Sequence, residues 1–165
     1  MTGRAPDIVA AAAARGLRVA AAESLTAGML AAELATVPGA SAVLQGGVVA
    51  YQNSVKAQVL GVPEDLLRKA GSVDPAVAEQ MAGGVRKVLN ADIGISTTGV
   101  AGPEPHDGKP VGTVFIGIAT ASAVRAEGFR FEGDRAAIRR QACTAALELL
   151  ALELLSGEPA QESQG

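Results

Sequence analysis

The chain has 165 residues, carries a formal net charge of −3 and is 48% hydrophobic, with no Trp, one Tyr, one Cys and one His. That length suits one domain with a real core, and no apolar run approaches the ~20 residues of a membrane-spanning helix. An acidic chain with 2% aromatics lacks the basic, stacking surface of a nucleic-acid binder, and one Cys with one His excludes an internal disulfide and a structural zinc site.

Residues 7–14 read as a first helix, with Ala5 as the earliest start, ending at the Arg15-Gly16 stop. The segment lacks a basic leader with an apolar core, so no signal peptide is expected, and the lone cysteine fits a cytoplasmic protein. Residues 17–22 read as a buried strand. A turn carrying Glu23, Ser24 and Thr26 follows, and a second helix spans residues 27–36 until Val37-Pro38-Gly39.

A second strand covers residues 42–51, where Gly46-Gly47 signals a bulge or a close backbone approach. Asn53 or Ser54 is positioned to cap a short helix over 55–60, and residues 64–70 form another helical turn or two. Asp74-Pro75 is an N-cap followed by proline at the first helical position, opening a helix to about Leu89. Gly83-Gly84 in that helix would admit a second backbone at close range.

Residues 91–97 read as a buried strand. Residues 98–112 form a long Gly/Pro-rich loop of the kind that usually carries function. Residues 113–121 and 124–131 make a hairpin, and Gly133-Asp134 opens a last helix to about Leu155. The expected organisation is one domain over residues 1–156 and a polar, disordered tail over 157–165.

Helices alternating with strands predict an α/β fold, a mostly parallel sheet with helices on both faces, made mixed by the hairpin. Ligands of such sheets bind outside the carboxyl ends of the strands. Residues 23–28, 51–56 and 98–112 should meet there.

Ser24 is a nucleophile, a ligand contact or a helix cap. Thr26 is the rival cap, and Glu23 is either a ligand or a stabiliser of the helix N-terminus. His106 is the only imidazole available for a Ser-His-Asp triad, and no second feature fixes it. Lys56 reaches the same sheet edge if the first two strands are neighbours, and it serves as a base once burial lowers its pKa. Tyr51 either relays a proton or holds Lys56, unless it is a core residue. The Thr98-Gly99-Val100-Ala101-Gly102 loop can present N–H groups to an anion, but it is neither a GxGxxG nor a P-loop. Arg135, Arg139 and Arg140 supply an anion contact or an exposed cationic face, and Cys143 reads as core.

Four segments together carry a resemblance: Ala-Glu-Ser-Leu-Thr-Ala-Gly at 22–28, Gly-Val-Val-Ala-Tyr-Gln-Asn-Ser-Val-Lys at 47–56, Thr-Gly-Val-Ala-Gly-Pro at 98–103 with Lys-Pro-Val-Gly-Thr-Val at 109–114, and Gly-Asp-Arg at 133–135 with Arg-Arg-Gln at 139–141. In this order they resemble the C-terminal domain of the competence/damage-inducible CinA proteins, a family that includes stand-alone nicotinamide mononucleotide deamidases. The resemblance implies a three-layer α/β/α fold with a mixed sheet. It also implies hydrolysis of the carboxamide of nicotinamide mononucleotide to nicotinate mononucleotide and ammonia.

On this resemblance Ser24 is the nucleophile, Lys56 the base and Tyr51 the third active-site residue, with Arg135 contacting substrate. Glu23, Thr26, Gly28, Gly99, Ala101 and Gly102 complete the expected binding set. No metal or cofactor is required, and the partner is a small nucleotide rather than nucleic acid or membrane. Alanine-rich apolar helices also make a homodimer a reasonable assembly. The family's turn usually reads Glu-Ser-Cys-Thr-Gly-Gly, so Leu25 and Ala27 depart from it, as does Glu104-Pro105-His106-Asp107-Gly108 in a loop usually richer in glycine. The alternatives are an amidase for another small amide and a catalytically silent ligand-binding or protein-interaction domain.

Overall fold

The computed structural model describes residues 3–156, so the tail expected over 157–165 lies outside the described residues. Its elements in chain order are α1 (Ala5–Ala14), β1 (Val19–Glu23), α2 (Met29–Ala35), a 3-10 turn (Ala40–Ala42), β2 (Leu44–Val49), α3 (Asn53–Gln58), α4 (Glu64–Ala70), α5 (Pro75–Val88), β3 (Ile93–Gly99), β4 (Thr113–Ala119), β5 (Val124–Arg130) and α6 (Arg135–Ser156). The five strands form one sheet in the order β2-β1-β3-β4-β5. β1 is parallel to both β2 and β3, whereas β4 and β5 run antiparallel.

Two cores cover the two faces, which makes a three-layer α/β/α sandwich. Val19 and Ala21 of β1 face the core shared with α1, α2 and α6, while Ala20 and Ala22 face the core with α4 and α5. All five β1 residues are buried, as expected of a central parallel strand whose period of two delivers side chains to both layers. No described helix is long and apolar enough to cross a membrane.

Small residues set the layer spacing. A Cβ on Gly94 would meet the Ala82 carbonyl, and one on Gly117 would meet that of Ala78, so α5 lies directly on β3 and β4. A Cβ on Gly84 would meet the Leu60 carbonyl, whereas Gly83 faces open space, so only the second glycine of that pair serves a close approach. The β1–β2 register shifts between Val19 and Ala20, skipping Gln45, so the irregularity precedes Gly46-Gly47.

One expected cap is corrected and another holds. The N-cap of α3 is Gln52, without a side-chain cap bond, so the helix starts at Asn53 and neither Asn53 nor Ser54 caps it. Asp74 does cap α5, accepting from the Ala76 N–H at 2.8 Å.

Candidate active site

The carboxyl ends of β2, β1 and β3 open onto a cleft of about 490 Å³ whose walls include Ser24, Tyr51, Ser72, Gly99, Gly102 and Arg135. Ser24 directly follows β1, and its N–H donates to the Thr97 carbonyl at 2.9 Å, one step past the last β1–β3 pair. The chain then reverses. The Ala27 N–H donates to the Ser24 carbonyl at 3.1 Å, and Ala27 and Gly28 both take left-handed backbone, φ 49° and 99°. Helix α2 therefore starts only at Met29, and Gly28 is its N-cap.

This geometry decides the capping question against both hydroxyls. The Thr26 hydroxyl is buried and bonds that of Thr97 at 2.8 Å. The cap comes from Glu23, whose carboxylate accepts from the Leu30 and Ala31 N–H groups at 2.7 and 3.1 Å. A carboxylate on the first helix donors satisfies groups that have no intrahelical partner and complements the helix dipole. Glu23, Thr26 and Gly28 were expected to bind substrate, and none lines the cleft. They build the turn that holds Ser24.

Lys56 lies on α3, 1% exposed, and is the largest fully buried side chain among the described residues. Its Nζ donates to Ser24 Oγ at 3.0 Å, to the Ala50 carbonyl at 2.8 Å and to the Tyr51 carbonyl at 3.2 Å. Among the described residues no carboxylate pairs with it. Burial lowers its pKa from 10.5 to about 8, and the Asp107 charge partly opposes that. A neutral amine has two N–H groups and one lone pair. With the two carbonyls taking the N–H groups, the lone pair is left for the Ser24 hydroxyl proton.

Tyr51 differs from expectation. Its phenol does not hold Lys56; its main-chain carbonyl does. The ring is 49% exposed, and its oxygen accepts from Arg135 Nη2 at 2.8 Å. Arg135 Nη1 also donates to the Gly102 carbonyl at 2.6 Å, so Arg135 ties the end of β2 to the loop after β3.

Gly99, Ala101 and Gly102 do line the cleft. A Cβ on Gly99 would fall 2.8 Å from the Thr113 carbonyl, so the loop can leave β3 there only without a side chain. Among the described residues the N–H groups of Leu25, Thr26, Ala101 and Gly102 have no hydrogen-bond partner.

His106 does not form a triad with Ser24. Its Nε2 lies 3.3 Å from Asp107 Oδ2, and the serine's partner is the lysine. The loop is also not free. His106 and Lys109 exchange main-chain bonds of 3.1 and 2.8 Å around Asp107-Gly108, both left-handed, as in a two-residue hairpin. Asp107 then accepts from the Ser72 N–H and hydroxyl at 3.0 and 3.2 Å, which pins the loop to the α4–α5 connection.

Several site residues escaped sequence reasoning. Asp107 and Ser72 are joined across 35 positions; an Asp-Gly pair is a turn signal that could have pointed to the first. The sequence offers Arg139 as an anion contact or as part of an exposed cationic face. It instead donates from Nε to the Leu25 carbonyl at 2.9 Å and from Nη2 to the Thr26 carbonyl at 3.3 Å. Cys143 is core as expected, and burial pushes its thiol up to about 12.

Fold and site together define the class: a three-layer α/β/α domain with a mixed sheet and a buried lysine on a serine at the foot of a small-molecule-sized cleft. The chain matches the CinA C-terminal domain over residues 2–154 and belongs to that family. It is 47% identical over 148 residues to a CinA-like protein of Frankia casuarinae, covering 90% of this chain and 34% of that protein. It is 50% identical over 127 residues to a putative competence-damage inducible protein of Bacillus pumilus, covering 77% and 30%. The chain thus spans about a third of the length of the curated relatives it matches. Among solved structures, a CinA superfamily protein of Klebsiella pneumoniae superimposes with a TM-score of 0.88 at 34% identity, covering 92% of this chain and 96% of that one. The competence/damage inducible protein of Agrobacterium tumefaciens gives 0.85 at 32%, covering 94% and 98%.

Proposed function

We propose that this domain hydrolyses the carboxamide of nicotinamide mononucleotide to nicotinate mononucleotide and ammonia, with Ser24 as nucleophile and Lys56 as its base. The observation that carries the reading is the 3.0 Å contact between Lys56 Nζ and Ser24 Oγ, made by a lysine that burial brings to a pKa of about 8. A base must sit within hydrogen-bond reach of the proton it takes and titrate near the working pH, and this pair meets both conditions.

Neutral Lys56 takes the Ser24 proton as Oγ attacks the amide carbon. The oxyanion is met by N–H groups of the turn after Ser24 and of the Ala101-Gly102 loop, the arrangement used when a nucleophile sits between a strand and a helix. Lys56 then gives its proton to the departing ammonia. Water, deprotonated by the same lysine, attacks the acyl-enzyme and releases the carboxylate and free Ser24. Arg135 uses two of its five N–H donors on Tyr51 and Gly102, leaving three for the substrate phosphate at the cleft mouth. The cleft volume suits a ligand of mononucleotide size.

The test is ammonia release from nicotinamide mononucleotide by the wild type, Ser24→Ala and Lys56→Ala. Activity in the wild type and its loss in both variants is expected. Undiminished turnover in Ser24→Ala would falsify the nucleophile assignment. A panel of other amides separates this substrate from the wider amidase reading.

A further inference from the structure

We infer that Arg139 is a positioning residue that aims the oxyanion-binding N–H groups of the turn after Ser24; this rests on the reading of Ser24 as nucleophile. Arg139 grips two successive carbonyls, those of Leu25 and Thr26. In a trans peptide the C=O and the next residue's N–H lie in one plane and point in opposite directions. Fixing the Leu25 carbonyl therefore fixes the Thr26 N–H. Fixing the Thr26 carbonyl fixes the Ala27 N–H, which is already bonded to the Ser24 carbonyl.

The direction follows from the layers. Arg139 comes from α6, whose Ile138 and Ala142 pack on one face of the sheet. Lys56 comes from α3, whose Val55 and Ala57 pack on the other. A carbonyl drawn toward α6 turns its partner N–H toward the side from which Lys56 reaches Ser24. That N–H has no partner among the described residues.

Charge adds to geometry. Arg139 has no carboxylate partner among the described residues, and its guanidinium spends itself on main-chain carbonyls. A cation on a carbonyl polarises the whole peptide and makes its N–H a stronger donor. The turn needs such a clamp, because Ala27 holds left-handed backbone that a non-glycine residue adopts reluctantly.

The experiment compares the wild type, Arg139→Met and Arg139→Lys in the full chain by two readouts, with thermal melts confirming folding. The first is kcat and KM for nicotinamide mononucleotide. The second is the rate at which a small fluorophosphonate labels Ser24, followed by intact mass. In that reaction the Oγ–P bond forms, fluoride leaves and the phosphoryl oxygen occupies the oxyanion position.

For Arg139→Met the expected result is kcat lower by ~10²-fold with KM within about threefold, and labelling slowed by at least about tenfold, in line with the loss of one oxyanion donor. Arg139→Lys should fall between the two, since it keeps the charge and loses the fork. Unchanged labelling, or a loss confined to KM, overturns the inference. If Arg139→Met does not fold, Arg139→Lys decides by the same criteria. A wild type that is labelled but releases no ammonia sinks the deamidase reading alone, and the labelling rates still judge Arg139. A wild type that resists labelling sinks both.

Discussion

Lys56 Nζ meets Ser24 Oγ at 3.0 Å across 32 positions of sequence, with the carbonyls of Ala50 and Tyr51 occupying the rest of its hydrogen-bonding capacity. Among the described residues the lysine is solvated by main chain rather than by a counter-ion, so its charged form is disfavoured without being forbidden. Its titration links the site to pH in two ways.

Activity should follow the neutral amine. Below a pKa of about 8 the amine is charged and cannot take the serine proton. On the proposed mechanism, kcat/KM therefore rises about tenfold per pH unit on the acid side and levels above pH 8. A steady-state profile from pH 5.5 to 9.5 reads this directly. A profile flat through that range would remove Lys56 as the base.

Stability should move the same way. The folded pKa of about 8 lies below the ordinary 10.5, so between those values the unfolded chain binds more protons and stability rises with pH. Below pH 8 both states carry the proton and the fold bears the full cost of a buried charge. The difference in urea midpoint between wild type and Lys56→Met, taken at pH 7.5 and 10, should shift in favour of the wild type at the higher pH.

Tyr51→Phe separates the tyrosine's two atoms. The variant loses the phenol's bond to Arg135 but keeps the carbonyl that holds Lys56. The expected outcome is a severalfold rise in KM for nicotinamide mononucleotide with the acid limb of the pH profile unmoved. Displacement of that limb by half a unit or more would assign the phenol to the lysine after all.

Glu23→Gln tests a structural role. The carboxylate accepts from two N–H groups at the start of α2, and an amide keeps one acceptor without the charge. A loss of about 1–2 kcal/mol is expected by chemical denaturation, as for other lost caps and dipole partners, with KM nearly unchanged. A large KM effect at wild-type stability would return Glu23 to substrate binding.

The paired glycines of α5 should respond in opposite directions. Gly83→Ala adds a methyl into open space within a helix and should stabilise by about 1 kcal/mol. Gly84→Ala drives a methyl onto the Leu60 carbonyl and should cost about 1–3 kcal/mol. Thermal midpoints of the two single variants are sufficient to check this.

What the sequence by itself determined were features that act over a few residues. Asp74-Pro75 opens a helix because a side chain two positions away satisfies a free N–H. The alternation of strands and helices was enough for the layered sheet, and placing Lys56 over Ser24 needed only that β1 and β2 be neighbours.

The tertiary structure decided which atom of each residue faces the site. Tyr51 was legible as a site residue, but not that its carbonyl rather than its phenol holds the lysine. Glu23 beside Ser24 read equally as a ligand or as a stabiliser of the helix N-terminus, and the reversal at Ala27 and Gly28 decides for the second by swinging α2 round to claim its carboxylate. Arg139 reaches Leu25 across 114 positions and Asp107 reaches Ser72 across 35. Such bonds exist because burial leaves polar groups only the partners that packing brings near, and local periodicity carries no record of those partners.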